Sequence, residues 1–297
     1  MSTERVISVI IVNFNGGDLL TECVRSVLAS SVPVTVHVVD NASKDDSLHR
    51  LLQAFENDER VQIIKNVDNL GFARAANLAL PYTSSEYLLF LNPDCLIRPD
   101  TLALFVKTMD IYPQAGMAGG LVLNPDGSEQ AGCRRSVPTP WRAIVRVFHL
   151  DKLFPNSKRF RSFVLARQPL PDNPIEIEGI SGACMFVRRT ALAKVGPMDE
   201  TYFLHCEDLD WFMRFHAGHF SILFIPQIEV VHVKGVCSRH RPLSTLWYKH
   251  RGMVRFYRKF FRHQYPLFIN WGVIVAVWVR FAVLAVMTLL RSFKLRE

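Results

Sequence analysis

Short apolar runs alternate with segments of helical periodicity, and this alternation limits the possible folds more than any other feature. Apolar residues at helical spacing follow the first four of five apolar runs, which cover residues 6–14, 34–39, 61–64, 87–91 and 117–123. Parallel strands joined by crossover helices produce this order. The pattern therefore predicts an α/β protein with a doubly wound, mostly parallel sheet flanked by helices.

The composition excludes several classes of protein. With 49% hydrophobic and 21% charged residues among 297, the chain can bury a large core and is not a disordered chain. The six cysteines form no CxxC pair, so they indicate neither a zinc site nor a disulfide framework and favour a cytosolic setting. The first residues lead directly into a strand, which predicts no signal peptide. The sequence has no GxGxxG motif and no P-loop.

Polar residues stand where the predicted strands end. Asn13 and Asp40 close the first two strands, and Asn92 and Asp94 flank Pro93 after the uncharged fourth strand. The carboxyl ends of parallel strands share one edge of a sheet, where such folds bind their ligands. A carboxylate at this edge suits a divalent cation that bridges a diphosphate. The alternative is an ordinary turn, because Asn, Pro and Asp all favour turns.

An acidic pair and a histidine later in the chain can each be interpreted as functional or as structural residues. Glu207 and Asp208 are adjacent carboxylates before a predicted helix. Such a pair can supply a general base, because a like-charged neighbour raises one pKa, or it can cap the helix. His232 lies among valines on a predicted strand. It is either a packing residue or, if Asp94 is near in space, a metal ligand.

The C-terminal part of the chain is basic and then strongly apolar. Residues after Glu229 include 13 Lys/Arg and one acid, whereas the first 229 residues have 22 Lys/Arg against 26 Asp/Glu. A basic helix is predicted over 246–261, and an apolar segment long enough to cross a bilayer covers 267–290. Arg280 in its middle would cost about 2.5–3.5 kcal/mol in a lone span.

This apolar segment has several interpretations. It crosses a membrane, lies in the membrane plane, or is a buried core helix; pairing with a second copy in a homo-oligomer is a further alternative. The neighbouring basic residues favour membrane attachment, with an anionic membrane surface rather than nucleic acid as the partner.

Several segments together carry a resemblance to a known family. Residues 9–15, 38–45 and 69–77 resemble family 2 glycosyltransferases of the GT-A fold, and residues 91–94 resemble the position of the DxD motif in that family. Gly182 and Ala183, the acidic pair and His232 follow in the expected order. The resemblance covers about residues 6–240. It implies a GT-A catalytic domain over 1–240 and C-terminal helices for membrane attachment over 241–297.

The resemblance also implies a role for each matching residue. It implies a magnesium or manganese ion at Asp94 and His232, although Asn92 replaces the first acid of DxD and weakens this site. Asp208, with Glu207 beside it, would remove the proton of the acceptor hydroxyl in an inverting transfer. The nucleotide-sugar site would comprise Val12, Asn13, Phe14, Asp40, Asn41, Gly71, Asn77 and Asn92. The acceptor site would comprise Gly182, Ala183 and Trp211.

The Asn-Pro-Asp form and the apolar tail are most similar to bacterial polysaccharide rhamnosyltransferases. This similarity implies transfer of L-rhamnose from dTDP-rhamnose to a polyprenyl-diphosphate-linked saccharide, at the cytoplasmic face of the plasma membrane. Two alternatives remain open at this point. One is the same reaction with a UDP- or GDP-linked galactose, mannose or N-acetylglucosamine. The other is a non-catalytic membrane module that binds nucleotide sugar or lipid.

Overall fold

The uncharged runs form the central strands of a large β-sheet. The computed structural model describes residues 5–154, 157–160, 163–166, 168–233 and 242–294. Its strands are β1 (Ile7–Asn13), β2 (Val34–Asp40), β3 (Val61–Lys65), β4 (Tyr87–Leu91), β5 (Cys95–Ile97), β6 (Ala115–Leu123), β7 (Arg134–Arg135), β8 (Ile175–Glu176), β9 (Gly179–Ile180), β10 (Cys184–Arg188) and β11 (Ser221–His232). Its helices are α1 (Gly17–Leu28), α2 (Ser47–Phe55), α3 (Phe72–Ala79), α4 (Thr101–Ile111), α5 (Pro140–Val147), α6 (Leu150–Leu153), α7 (Arg189–Val195), α8 (Glu207–Ala217), α9 (Pro242–Phe260) and α10 (Leu267–Lys294).

The sheet is mixed, with a parallel half and a half that contains antiparallel pairs. Its strand order is β3-β2-β1-β4-β10-β6-β11-β5, and β8 pairs with β11. The four strands from β3 to β4 are parallel, as predicted, and they end at one edge. β10 runs antiparallel between β4 and β6, and β5 runs antiparallel to β11. The five apolar runs of the sequence correspond to β1, β2, β3, β4 and β6. The local pattern does not encode the direction in which the chain returns to the sheet: β5, β8 and β10 pair antiparallel, whereas β6 and β11 pair parallel, as the first four strands do.

Helices cover both faces of the sheet because alternate residues of the buried strands point to opposite sides. On β1, Ile7, Val9 and Ile11 pack with α1, α2 and α4, whereas Ile10 and Val12 pack with α3, α7 and α8. Each face therefore has its own apolar core. At the carboxyl edge of β1, β2 and β4, beyond both cores, the side chains are polar.

The pairing of β5 with β11 brings distant parts of the sequence to that edge. β11 is a single long strand, and its pairing with β6 is irregular between Ile225 and Glu229, where Pro226 lacks an amide proton. β5 was not predicted, because it has only three residues after the turn at Pro93. Its register places His232 opposite Cys95, and therefore next to Asp94.

The two C-terminal helices form an antiparallel hairpin. Trp247 of α9 lies 4.9 Å from Trp278 of α10, measured between ring centroids, and Tyr257 donates a hydrogen bond to Asn270. The segment Leu267–Leu290 is long and apolar enough to cross a membrane by length and composition, and its apolar window is 0% buried. This result excludes the buried core helix. The predicted domain boundary at 240/241 lies in 234–241, outside the described residues.

Candidate active site

Hydrogen bonds join the polar side chains at the ends of β1 and β2. Asn13 donates through Nδ2 to the Asp40 carboxylate (2.8 Å) and to the Ser47 hydroxyl (2.9 Å). Asp40 also accepts the backbone N–H of Ser43 at 3.2 Å. Asn13 and Asp40 are both buried, so this network fixes the start of the loop that follows each strand. Asn13 and Asp40, two of the residues of the predicted nucleotide-sugar site, therefore lie side by side at the sheet edge.

A second amide network holds the loop before α3. Asn41 donates to the Asn69 side chain (2.9 Å) and accepts from the backbone N–H of Leu70 (2.9 Å). Gly71 has a φ of +82°, and a Cβ there would lie 2.4 Å from the carbonyl oxygen of Phe203. The structure thus explains this glycine by the close approach of the 203 segment. The resemblance places the same glycine in the nucleotide-sugar site.

Asp94 and His232 meet at the same edge, as the metal-site prediction requires. Their Oδ1 and Nε2 atoms are 3.1 Å apart, and both side chains are buried. The other ring nitrogen of His232, Nδ1, lies 2.7 Å from Oε1 of Gln130. The amide nitrogen of Gln130 donates to Asn124 Oδ1 at 3.0 Å, and this contact fixes the orientation of the amide. His232 therefore donates from Nδ1 and directs Nε2 toward Asp94.

This donor set fits a divalent cation. In the neutral ring with its proton on Nδ1, the Nε2 lone pair points toward the Asp94 carboxylate, and these two groups would together hold a divalent cation. Cys95 lies within the same cluster, whose ligand atoms are all within 4.8 Å of one another. Burial and the adjacent Asp94 carboxylate raise the pKa of the Cys95 thiol well above its usual value, and the thiol donates to the carbonyl oxygen of Ala183 at 3.6 Å. The site thus offers one carboxylate and one imidazole, with the Cys95 sulfur beside them.

The acidic pair stands at the start of α8, directly after two residues with left-handed backbone. His205 and Cys206 have φ values of +67° and +73°, which is uncommon for residues with a side chain. This turn directs Asp208 toward Gly182, where a Cβ would lie 2.8 Å from Asp208 Oδ2. The structure therefore brings together the predicted base and one predicted acceptor residue, although 26 positions separate them.

The two carboxylates of the acidic pair have different surroundings. Asp208 forms an ion pair with Arg135, whose guanidinium also donates to the carbonyl oxygen of Ile180 at 2.9 Å. Glu207 is buried, and its Oε2 atom has no hydrogen-bond partner among the described residues. Burial, together with the neighbouring Asp208 charge, raises the pKa of Glu207 to about 8. Asp208 is thus the more accessible carboxylate, and Glu207 is held in a protonated state near neutral pH.

The remaining predicted site residues lie in different surroundings. Trp211, predicted to contact the acceptor, is 0% exposed in this structure, with its ring edge-on to Phe90 and its indole N–H donating to the carbonyl oxygen of Gly196. Asn77 is hydrogen-bonded to the carbonyl oxygen of Met198 and to Glu200. The remaining four residues lie along the sheet edge or the strands that lead to it: Val12, Phe14, Asn92 and Ala183. Ala183 accepts the backbone N–H of Asn92 at 2.9 Å.

Comparisons with known proteins identify the family of this chain. Residues 8–196 match the family described as Glycosyl transferase family 2. The chain belongs to this family. It is 27% identical over 263 residues to an N-acetylglucosaminyl-diphospho-decaprenol L-rhamnosyltransferase of Mycobacterium tuberculosis, covering 84% of this chain and 83% of that protein. It is 23% identical to the rhamnosyltransferase WbbL of Escherichia coli, covering 66% of this chain and 76% of that protein.

Solved structures share the fold. A mannosyltransferase from Pyrobaculum calidifontis, in complex with GDP-Man and Mn²⁺, matches with a TM-score of 0.60 and 16% identity, over 94% of this chain and 70% of that one. GalNAc-T7 with UDP, GalNAc and Mn²⁺ matches with a TM-score of 0.62 and 16% identity, over 87% of this chain. This glycosyltransferase spans 48% of the GalNAc-T7 chain. The predicted GT-A class is confirmed.

Two residues of this site were not predicted from the sequence. Gln130 orients His232, and Arg135 holds Asp208. Gln130 lies just before the basic segment 132–174 and Arg135 lies within it, and no periodic pattern marks a functional position at either residue. The basic character of that segment was the one available signal for Arg135.

Proposed function

We propose that this glycosyltransferase transfers L-rhamnose from dTDP-rhamnose to a polyprenyl-diphosphate-linked saccharide at the cytoplasmic face of the plasma membrane. The observation that carries the proposal is the meeting of Asp94 and His232 at the edge that also holds Asn13 and Asp40. Those residues match the two parts of a nucleoside-diphosphate donor, its base and its diphosphate. The rhamnosyltransferase relatives support the sugar and the lipid-linked acceptor.

Different side chains of the protein would bind different parts of the donor. Asn13, Asp40 and Asn41 form the polar edge that receives the nucleoside. Asp94 and His232 would hold a divalent ion, which neutralises charge on the leaving nucleoside diphosphate when it is bound. Solved structures that share this fold contain Mn²⁺ together with a nucleotide or nucleotide sugar, which supports such an ion here.

The acidic pair completes the transfer. Asp208 takes the proton from the acceptor hydroxyl, whose oxygen forms the new bond to the anomeric carbon while the bond to the diphosphate breaks. Because attack is opposite the leaving group, the configuration of the anomeric carbon inverts. Arg135 holds the Asp208 carboxylate beside Gly182, and protonated Glu207 adds no second negative charge.

The C-terminal hairpin supports attachment to the membrane. One face of α10 has Val275, Val279 and Val283 more than half exposed. Arg280 is directed to α9, where Nη1 lies 2.9 Å from Nε2 of His250. The charge in the middle of this apolar helix therefore has a partner in the protein, which lowers the cost estimated for a lone span.

Product formation from a panel of nucleotide sugars tests this function. Purified protein receives dTDP-rhamnose or a UDP- or GDP-sugar, with polyprenyl-diphosphate-GlcNAc as acceptor, with Mg²⁺, Mn²⁺ or a chelator. We expect turnover with dTDP-rhamnose, lost on chelation. Turnover only with another donor would keep the mechanism and refute the rhamnosyl assignment. Nucleotide-sugar binding without transfer by any donor would instead support a binding module.

Two isosteric variants test the assignment of the base. Asp208→Asn should lower kcat by about 100- to 10,000-fold, the usual contribution of a general base. Glu207→Gln keeps the neutral form of that side chain and should lower kcat much less. If Glu207→Gln instead causes the large loss of kcat and Asp208→Asn the small one, Glu207 is the base. If Asp208→Asn turns over at near the wild-type rate, neither the base nor the mechanism above is correct.

A further inference from the structure

A cleft separate from the metal edge lies between α9, the 201–203 segment and α10. Its volume is about 630 Å³. Arg251, Arg255, Arg258 and Lys259 of α9 supply the charge of its lining, and none of its lining residues is acidic. The aromatic rings of Phe203 and Tyr248 stack at one side of it, with centroids 4.2 Å apart. The cleft is therefore cationic and aromatic, a combination that suits an anionic ligand with apolar parts.

The cations of this cleft are only partly neutralised. Arg255 and Lys259 both contact the carboxylate of Asp199, at 3.1 and 2.8 Å. Arg251 and Arg258 have no ion pair within the described residues, and both are exposed. The arginines at 251, 255 and 258 follow one another at intervals of four and three, so they share one face of α9. Their spacing presents adjacent guanidinium groups to one ligand.

One end of the cleft adjoins the segment that leads to the acidic pair. Gly252 of α9 packs so closely on the turn before α8 that a Cβ there would lie 2.8 Å from the carbonyl oxygen of His205. The carbonyl oxygen of Phe203 accepts the backbone N–H of Phe72 at 2.8 Å, next to Gly71. A ligand in the cleft is therefore held by the same short segment that presents Glu207 and Asp208.

The other end of the cleft adjoins the apolar helix. Trp278 of α10 lines the cleft, and its ring contacts Trp247 of α9. Beyond it lies the exposed apolar face of α10. The cations of the cleft therefore lie between the turn that precedes the two carboxylates and the apolar helix. A lipid-linked sugar has the same order of parts: a hydroxyl, a diphosphate and a hydrocarbon chain.

We propose that this cleft binds the diphosphate of the lipid-linked acceptor, with Arg251 and Arg258 as its principal contacts. The proposal rests on the function proposed above and names the site where that acceptor binds. The hydrocarbon chain leaves past Trp278 along α10, and the sugar reaches toward Asp208. The diphosphate of the nucleotide donor binds elsewhere, at Asp94 and His232.

Binding of farnesyl diphosphate, a short polyprenyl diphosphate, tests the proposal without any transfer reaction. The full chain in detergent is titrated with farnesyl diphosphate, farnesol and dTDP by calorimetry. We expect binding of farnesyl diphosphate and much weaker binding of farnesol. The double variant Arg251→Ala/Arg258→Ala should bind farnesyl diphosphate about tenfold or more weakly, and dTDP as tightly as the wild type does.

Matched variants separate a specific site from general attraction to a basic surface. Arg262 is exposed just after α9 and does not line the cleft, so Arg262→Ala should bind farnesyl diphosphate as the wild type does. Equal weakening by Arg262→Ala and the double variant would overturn the proposal, since charge alone would then explain binding. Weaker binding of dTDP by the double variant would also overturn it and would assign the cleft to the donor.

The same titration distinguishes this proposal from the proposed function. If farnesyl diphosphate binding is lost in the double variant but no donor is turned over, the cleft is confirmed and the reaction is wrong. If turnover is observed and the double variant has an unchanged KM for the lipid-linked acceptor, the reaction is confirmed and the cleft assignment is wrong. Arg251→Lys/Arg258→Lys should recover part of the binding, because the charge remains while the paired donors are lost.

Discussion

At the scale of single residues, the orientation of His232 depends on Gln130. The Gln130 amide accepts from Nδ1 and thereby leaves Nε2 free to face Asp94. We predict that Gln130→Leu weakens Mn²⁺ binding by about 10- to 100-fold, the usual effect of losing a group that orients a metal ligand. The measurement is a titration of Mn²⁺ binding by electron paramagnetic resonance in the presence of dTDP.

Gln130→Glu tests whether the hydrogen-bond acceptor at position 130 is what matters for Mn²⁺ binding. It keeps an acceptor for Nδ1, so its Mn²⁺ affinity should stay close to that of the wild type. Gln53→Leu, on the distant helix α2, is a control for loss of an amide. If Gln130→Leu binds Mn²⁺ normally, His232 does not need this contact, and the orientation assigned to its ring is wrong.

Glu207 makes the stability of the folded chain depend on pH. Burial raises its pKa from 4.5 to about 8, so the folded state binds the proton more tightly than the unfolded state does. Stability contributed by this group is therefore lost as pH rises from 4.5 to about 8. We predict that Glu207→Gln removes this loss, so that its unfolding midpoint exceeds the wild-type midpoint by an amount that grows with pH in this range.

Urea unfolding at several pH values measures this difference. Glu22→Gln, at an exposed position of α1, is the control and should leave the pH dependence unchanged. A difference between Glu207→Gln and wild type that stays constant with pH would show that Glu207 is not protonated in the folded chain.

The sequence predicted the residues that form the site better than the residues that hold them in position. Asn13, Asp40 and Asp94 were recognisable because each follows an apolar strand, and a strand end has a fixed place in a parallel sheet. Gln130 and Arg135 act through contacts 102 and 73 positions away, which no local pattern contains. The burial of Trp211 was equally unreadable, because its place near the acidic pair in sequence says nothing about the side of α8 on which it lies.

At the scale of elements, α10 has two faces with different partners. Trp278, Arg280 and Phe281 contact α9, whereas the valines at 275, 279 and 283 face outward. We predict that Val275→Asn/Val279→Asn/Val283→Asn strongly lowers binding to lipid vesicles, because each change removes apolar surface that would enter the bilayer. Vesicle sedimentation of the full chain measures the bound fraction.

Exposed apolar residues outside α10 supply the control for this variant. Val67 and Ile111 are 94% and 65% exposed, and neither lies on the hairpin. Val67→Asn/Ile111→Asn should therefore sediment with vesicles as the wild type does. If the α10 variant also sediments like the wild type, the outward face of α10 does not contact lipid, and self-association becomes the better explanation of its exposure.

The length and composition of α10 were readable from the sequence, but its packing was not. An uninterrupted apolar segment predicts a helix able to cross a bilayer, whichever element it touches. The position of Arg280 could only be counted as a cost, because its partner His250 lies 30 residues away on another helix. The hairpin therefore gives Arg280 a partner on α9, while the helix predicted for the apolar segment is unchanged.

At the scale of the whole molecule, charge and apolar surface are concentrated at the same end of the chain. The residues after Glu229 carry 13 Lys/Arg, and the exposed face of α10 belongs to the same segment. Charge attraction is screened by salt, with a screening length of about 30 Å at 0.01 M and about 3 Å at 1 M, whereas burial of apolar surface is not. The two contributions can therefore be separated by salt.

We predict that binding to vesicles containing anionic lipid falls as salt rises, and levels off at the binding measured on neutral vesicles. Binding to neutral vesicles should change little over the same range, because the apolar face of α10 acts there alone. Sedimentation at several salt concentrations, with both vesicle types, gives the two curves. Salt-independent binding to anionic vesicles would mean that the basic residues face away from the lipid, and α9 would then have to direct its arginines only into the cleft.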